Sequence, residues 1–122
     1  MNDVNPPGWA FQPTLEISVP DTASLHEDSG DTDFLLIDIR EAHELEISSI
    51  DGAVHIPMGE LASRINELEV DEDTIIAVLC RTGRRSLDVA VYLQEQGLTG
   101  ARSVAGGINW WSLKIDPTIK RY

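Results

Sequence analysis

The sequence predicts an α/β fold in which helices cover both faces of a central, mainly parallel five-stranded sheet. Two observations lead to this class. Short β-type apolar runs alternate with amphipathic stretches along the chain, which is the order that a parallel sheet with crossover helices requires. The chain has 122 residues, of which 42% are hydrophobic. That content is sufficient for one hydrophobic core, so we expect one folded domain.

Five segments have the pattern of strands. Leu15–Val19 alternates apolar and polar residues, as a half-buried strand does, and Phe34–Ile37 is continuously apolar, as a strand covered on both faces is. Ala53–Ile56 is short and is stopped by a proline. Thr74–Leu79 is β-branched and uninterrupted, the strongest strand signal, and Ala101–Val104 is the last.

Helices are expected between these strands. Thr22–Glu27 and Glu41–Glu46 suit short helices, and an acidic loop follows the first of them. Glu60–Leu68 places its apolar residues on one helical face, and Arg84–Gln96 repeats that pattern over a longer stretch. The pair Gly106–Gly107 opens a last short helix.

The chain is expected to divide into an N-terminal tail or arm, residues 1–13, and one domain, residues 14–122. The first segment contains three prolines and a glycine, which are typical of irregular backbone. Trp9 and Phe11 lie within it. Two alternatives stay open at this point: these aromatic residues pin the arm to the domain, or they are exposed.

Charge and cysteine content exclude several classes of partner. Lys and Arg number 9 against 21 Asp and Glu, a net charge of −12, which argues against nucleic acid and against an anionic membrane surface. Cys80 is the single cysteine, so neither an internal disulfide nor a cysteine-based zinc site is expected. The first residues lack the pattern of a secretory signal, and no apolar run has membrane-spanning length. We therefore expect a cytoplasmic, reducing setting.

The segment CRTGRRS, between the strongest strand and the longest helix, is the candidate reactive loop. Cys80 falls at the carboxyl end of the strand, where parallel sheets bind ligands. Gly83 allows the loop to curl so that its N–H groups converge near the start of the helix. Arg81, Arg84 and Arg85 add positive charge. The converging N–H groups, the start of the helix and these arginines all favour a nucleophilic thiolate. The alternative interpretations are a small core cysteine and a solvated helix start.

The length of this loop separates two chemistries that use a cysteine among anion-binding amides. A tyrosine-phosphatase loop has five residues between its cysteine and its arginine. Here four residues separate Cys80 from Arg85, and Ser86 follows. The tighter loop favours a terminal sulfur atom over a tetrahedral phosphate, so we predict sulfur transfer.

A second polar cluster is expected at the end of the strand that begins at Phe34. Asp38 and Arg40 are two residues apart at this strand end, so their side chains point to the same side. We predict a structural ion pair between them, with Glu44 as a third member, rather than a direct part in catalysis.

The sequence resembles the rhodanese-like, single-domain sulfurtransferase family over about residues 14–122. Four segments carry the resemblance in the right order: LLIDIREAHE, IDGAVHIP, CRTGRRS and VAGGINWW. Trp110, in the last of them, stands where the family commonly has a small residue. The resemblance implies a rhodanese fold, a persulfide on Cys80, and neither a metal nor an organic cofactor.

The resemblance also implies roles for the loop and its partners. Cys80 is the expected nucleophile, with Asp38, Arg40 and Ser86 in support, and the sulfur is bound by the rest of the loop: Arg81, Thr82, Gly83, Arg84 and Arg85. The expected donor is thiosulfate or a small persulfide, and the acceptor a thiol, cyanide or a carrier protein. The ending IDPTIKRY resembles rhodanese domains fused to adenylyltransferases that serve carrier proteins. The alternatives are a phosphatase or arsenate reductase on the same fold, and a non-catalytic binding module.

Overall fold

A five-stranded parallel sheet forms the centre of the protein. The computed structural model describes residues 4–28 and 33–122; most of the acidic loop expected after the first helix, residues 29–32, lies outside them. The sheet order is β1-β5-β4-β2-β3, and every pairing is parallel. The strands are β1 Glu16–Ile17, β2 Phe34–Asp38, β3 Val54–His55, β4 Ile75–Leu79 and β5 Ala101–Val104. The predicted fold class is confirmed.

Helices cover both faces of this sheet. They are α1 Val19–Glu27, α2 Ala42–Ile47, α3 Leu61–Arg64, α4 Arg85–Glu95 and α5 Gly107–Lys114. Helix α1 begins earlier than the sequence suggested because the Ser18 hydroxyl accepts a hydrogen bond from the N–H of Asp21 at 3.2 Å, and Pro20 fits the first helical turn. Across residues 4–28 and 33–122, no helix is both long and apolar enough to cross a membrane.

The helix expected over Glu60–Leu68 is broken into three pieces, so that prediction was wrong in its detail. A 3₁₀ turn at Met58–Glu60 leads into α3, and a second 3₁₀ turn covers Ile65–Glu67. Tight backbone hydrogen bonds close both turns, from Glu60 N–H to the carbonyl of Pro57 at 2.8 Å and from Leu68 N–H to that of Ile65 at 3.2 Å. Such turns are frequent at the ends of short helices.

The core is divided into two layers by the sheet. Successive residues of a strand point to opposite faces, so Ile76 and Val78 pack in one layer, against α3 and α4, while Ala77 and Leu79 pack in the other, against α1 and α5. Cys80 continues the first set. Its side chain therefore leaves the sheet on the side of α4.

The loops that follow the strands meet at one edge, because all strands are parallel. Asp38, the last residue of β2, lies opposite Leu79, the last residue of β4. The N–H of Ile39 extends the pairing by donating to the carbonyl of Leu79 at 3.0 Å. This register brings the segment containing Arg40 beside the segment that begins at Cys80.

Candidate active site

The Cys80 sulfur lies at the bottom of the loop between β4 and α4. The residue is only 1% exposed. Its Sγ accepts hydrogen bonds from the backbone N–H groups of Gly83 at 3.1 Å and Ser86 at 3.4 Å. The thiol in turn donates to the Ser86 Oγ at 3.2 Å. One amide of the loop and one amide of the first turn of α4 therefore donate to the sulfur, and donors of this kind stabilise an anion.

A second hydroxyl extends this contact into the core. The Oγ atoms of Ser86 and Ser103 are 2.7 Å apart, and both residues are fully buried. Ser103 lies on β5 and also reaches the Gly83 carbonyl at 3.5 Å. The sequence analysis missed Ser103; a small polar residue inside an otherwise buried strand is the signal that could have found it.

Gly83 gives the loop its curl. Its φ is +97°, a backbone conformation that side chains disfavour. A Cβ at this position would lie 3.0 Å from the backbone nitrogen of Gly106 and 3.2 Å from the carbonyl oxygen of Val104. The loop after β5 thus packs directly on the cysteine loop, and a side chain at position 83 would require this backbone to shift.

The start of α5 holds the other side of the loop. The N–H of Ile108 donates to the Cys80 carbonyl at 2.9 Å, and that of Asn109 to the Arg81 carbonyl at 3.2 Å. A Cβ on Gly107 would collide with both carbonyls. Gly106 and Gly107, at the start of α5, therefore let a helix end bind the backbone of the cysteine loop.

Arg85 is directed at Glu44. Its guanidinium makes two hydrogen bonds to the Glu44 carboxylate, at 2.9 and 2.8 Å. These bonds lower the pKa of Glu44 to about 2, and the same contact raises the pKa of Arg85, with the nearby Cys80 adding to that shift. Arg85 thus fixes the first turn of α4 to α2 while its charge stays near the sulfur.

Asp38 and Arg40 form a buried ion pair, as the sequence analysis expected. The Arg40 Nη2 lies 2.7 Å from the Asp38 Oδ2, and the side chains are 0% and 1% exposed. The contribution of Glu44 differs from the expectation: Arg40 binds its backbone carbonyl, at 3.3 Å, and the carbonyl of Ser48 at 2.8 Å. The Glu44 carboxylate is already engaged by Arg85.

Tyr122 connects these groups, a role that the sequence analysis missed. Its hydroxyl donates to the Glu44 Oε1 at 2.8 Å and accepts from the Arg40 Nη1 at 3.0 Å. The Arg81 guanidinium stacks on its ring, 4.7 Å from the centroid, and donates to its backbone carbonyl. Burial raises the pKa of Tyr122. No local sequence pattern links a residue after α5 to Arg40 or Arg81.

The remaining loop side chains form the rim of the site. Arg81, Thr82 and Arg84 are exposed, while Gly83 is buried. Within the part of the chain that the structure describes, no group of three or more His, Cys, Asp and Glu residues is arranged to hold a metal ion. The site itself consists of the buried Cys80 thiol among backbone amides, with the two exposed cations of Arg81 and Arg84 at its rim.

The fold and this loop define an α/β domain built around a single cysteine at the carboxyl edge of its sheet. The chain belongs to the family of rhodanese-like domains, whose model matches residues 21–114. The match includes the cysteine loop and the glycine pair at the start of α5. It leaves out the N-terminal arm and Tyr122.

Known proteins agree with this membership. The chain is 39% identical over 119 residues to the chloroplastic rhodanese-like/PpiC domain-containing protein 12 of Arabidopsis thaliana, covering 91% of this chain but only 38% of that relative's length. It is 37% identical over 100 residues to a sulfurtransferase of Allochromatium vinosum, covering 81% and 92% of the two chains. The structure of the human single-domain sulfurtransferase TSTD1 matches with a TM-score of 0.67 at 28% identity, covering 85% and 98%.

Proposed function

We propose that this protein is a sulfurtransferase that carries a sulfane sulfur on Cys80. The donor is thiosulfate or a small persulfide, and the acceptor is a thiol, cyanide or a carrier protein. The observation that carries the proposal is the environment of the buried Sγ, which accepts hydrogen bonds from the N–H groups of Gly83 and Ser86. The names of the relatives from Allochromatium vinosum and human support the same activity.

The first step of the proposed reaction loads the cysteine. The Cys80 thiolate attacks the sulfane sulfur of thiosulfate, an S–S bond forms to Sγ, and sulfite leaves with the electrons of the bond that breaks. The amides of the loop from Arg81 to Arg85 hold the transferred sulfur and its negative charge, as amides at a helix start bind anions. The exposed side chains of Arg81 and Arg84 attract the donor dianion.

The second step transfers the outer sulfur from the Cys80 persulfide to the acceptor. Cyanide or an acceptor thiolate attacks the outer sulfur, the S–S bond breaks, and the electron pair returns to the Cys80 sulfur. The thiolate is restored, and the cycle needs no further oxidant or reductant. The ending IDPTIKRY supports a carrier protein as acceptor through its resemblance to rhodanese domains fused to adenylyltransferases. A nucleophile that works only while reduced fits a cytoplasmic compartment.

Mass spectrometry of the intact protein after incubation with thiosulfate tests the proposal. We expect one added sulfur atom on Cys80, removed by cyanide with release of thiocyanate. Cys80→Ser is expected to fold normally and to abolish thiocyanate formation, because a serine hydroxyl without a dedicated base is a far weaker nucleophile. Leu113→Ala, at a residue of α5 that is 56% exposed, leaves the thiol in place and is the control for handling and refolding.

The outcomes separate the alternatives. Absence of a persulfide together with hydrolysis of an aryl phosphate would assign the loop to phosphate chemistry, and arsenate reduction with an added thiol would assign it to an arsenate reductase. If the Cys80 thiol reacts with none of these substrates, the remaining alternative is a non-catalytic binding module. Substantial turnover by folded Cys80→Ser would contradict the covalent route.

A further inference from the structure

The N-terminal arm, residues 4–13, is folded against the active-site edge of the domain. A turn is closed by the Trp9 N–H, which donates to the Pro6 carbonyl at 3.0 Å. The Trp110 indole N–H donates to the Val4 carbonyl at 2.7 Å. Gly106 lies beneath Pro6 and Trp110, both of which would obstruct a Cβ at that glycine. Val4 and Pro6 thus contact α5 and the loop that packs on Gly83.

A buried carboxylate anchors the other part of the arm. Glu16, on the edge strand β1, is only 4% exposed. Its Oε2 accepts from the Trp9 indole N–H at 3.0 Å, and its Oε1 accepts from the Gln12 backbone N–H at 2.7 Å. Both carboxylate oxygens therefore bind the arm. An acid that is buried needs such partners, so the contact has a defined geometry.

Trp9 is held by this anchor directly against the active-site loop. The Cη2 atom of its ring is 3.1 Å from the point that a Cβ on Gly83 would occupy. The N–H of Gly83 is 3.1 Å from the Cys80 sulfur. The indole ring therefore packs on the side of Gly83 where a side chain would stand, and it limits movement of this residue toward the arm.

We propose that Trp9 is a positioning residue for the sulfur-transfer reaction, which acts by holding the Gly83 N–H on the Cys80 sulfur. This inference rests on the function proposed above, and it extends the site beyond residues 21–114, the segment that matches the family model. Van der Waals packing holds Gly83 in this position, because the large, rigid indole ring is fixed at one end by Glu16 and fills the space beside the glycine.

Trp9→Ala tests the proposal, with Trp9→Phe as the conservative variant and Leu113→Ala, on the exposed part of α5, as the control. The first readout is the rate of Cys80 alkylation by iodoacetamide as a function of pH. It needs no sulfur donor, so it tests Trp9 even if the wild-type protein forms no persulfide. Loss of one hydrogen bond to a thiolate is expected to move the pH midpoint of alkylation upward by about one unit in Trp9→Ala.

The second readout is thiocyanate formation. We expect kcat to fall about tenfold in Trp9→Ala, with the KM for thiosulfate changed much less. The substitution weakens a hydrogen bond to the Cys80 sulfur and leaves the exposed arginines at the rim unchanged. Trp9→Phe, which restores part of the ring, is expected to lie between Trp9→Ala and wild type in both readouts.

Three results would separate a failure of the positioning role of Trp9 from a failure of the proposed sulfurtransferase activity. A wild-type alkylation midpoint and a wild-type kcat in folded Trp9→Ala would overturn the positioning role. If Trp9→Ala does not fold, the same pair of values in Trp9→Phe overturns it. A wild-type protein that transfers no sulfur, while Trp9→Ala still shifts the alkylation midpoint, would overturn the proposed function and leave the loop contact standing.

Discussion

The ion pair between Glu44 and Arg85 is expected to stabilise the protein in a pH-dependent manner, and Glu44→Gln tests it. Glutamine keeps the shape of the side chain and removes the charge. The pKa of Glu44 is lowered from 4.5 to about 2, chiefly by Arg85. At 1.36 kcal/mol for each pKa unit this corresponds to ~3.4 kcal/mol. The Arg85 side chain is 37% exposed, so screening by solvent reduces the expected contribution to ~2 kcal/mol.

The sign of the pH dependence follows from the lowered pKa of Glu44. The contribution is complete above 4.5, where the carboxyl is ionised in both the folded and the unfolded chain, and it is lost as the pH falls through about 2. At pH 3 about two fifths remains, so the difference in unfolding free energy between wild type and Glu44→Gln is expected to narrow by ~1 kcal/mol.

Urea denaturation at pH 7 and pH 3 measures this difference. Glu46→Gln is the matched control, since Glu46 is an exposed residue of the same helix, and its effect is expected within ~0.5 kcal/mol at both pH values. A Glu44→Gln effect that is equal at pH 7 and pH 3 would refute the electrostatic reasoning. So would an effect no larger than that of the control.

Two further substitutions address the rim and the base of the site. Arg84→Ala is expected to weaken turnover of thiosulfate several-fold more than turnover of a neutral persulfide, because the exposed guanidinium attracts a dianion at short range while the protein as a whole carries −12. Donor kinetics at two salt concentrations check this, with Arg64→Ala as a control that removes the same charge elsewhere, and an unchanged donor preference would contradict it. Ser103→Ala removes the partner of the buried Ser86 hydroxyl and is expected to lower the unfolding free energy by ~1–2 kcal/mol; wild-type stability in urea would show that the hydroxyl pair contributes nothing.

The sheet could be predicted because each strand carries its own signal. The apolar runs at Phe34–Ile37 and Thr74–Leu79 need no distant partner to be recognised, and the observed strands β2 and β4 coincide with them to within one residue. Helix boundaries depend on capping, which is decided by single hydrogen bonds. Because Ser18 caps α1, this helix starts earlier than predicted, and two 3₁₀ turns replace the ends of the single helix that was predicted around α3.

The contacts within the cysteine loop could be predicted for a similar reason: Cys80, Gly83 and Ser86 are close in sequence, so their spacing brings them together. Tyr122 and Trp9 meet this loop only after the chain has folded, and no short-range pattern encodes either contact. The orientation of Arg85 was also beyond the sequence. The resemblance implied that Arg85 binds the sulfur with the rest of the loop, and only the placement of α2 shows that its guanidinium binds the Glu44 carboxylate.

The depth of Cys80 makes the proposed transfer regioselective. A persulfide offers two electrophilic sulfur atoms, joined by a bond of ~2.05 Å. Cys80 is only 1% exposed, so we expect an acceptor that arrives from solvent to meet the outer sulfur first. Attack there carries sulfur away and frees the thiolate, whereas attack on Sγ would leave a mixed disulfide on the protein. Burial of the nucleophile thus separates productive turnover from self-inactivation.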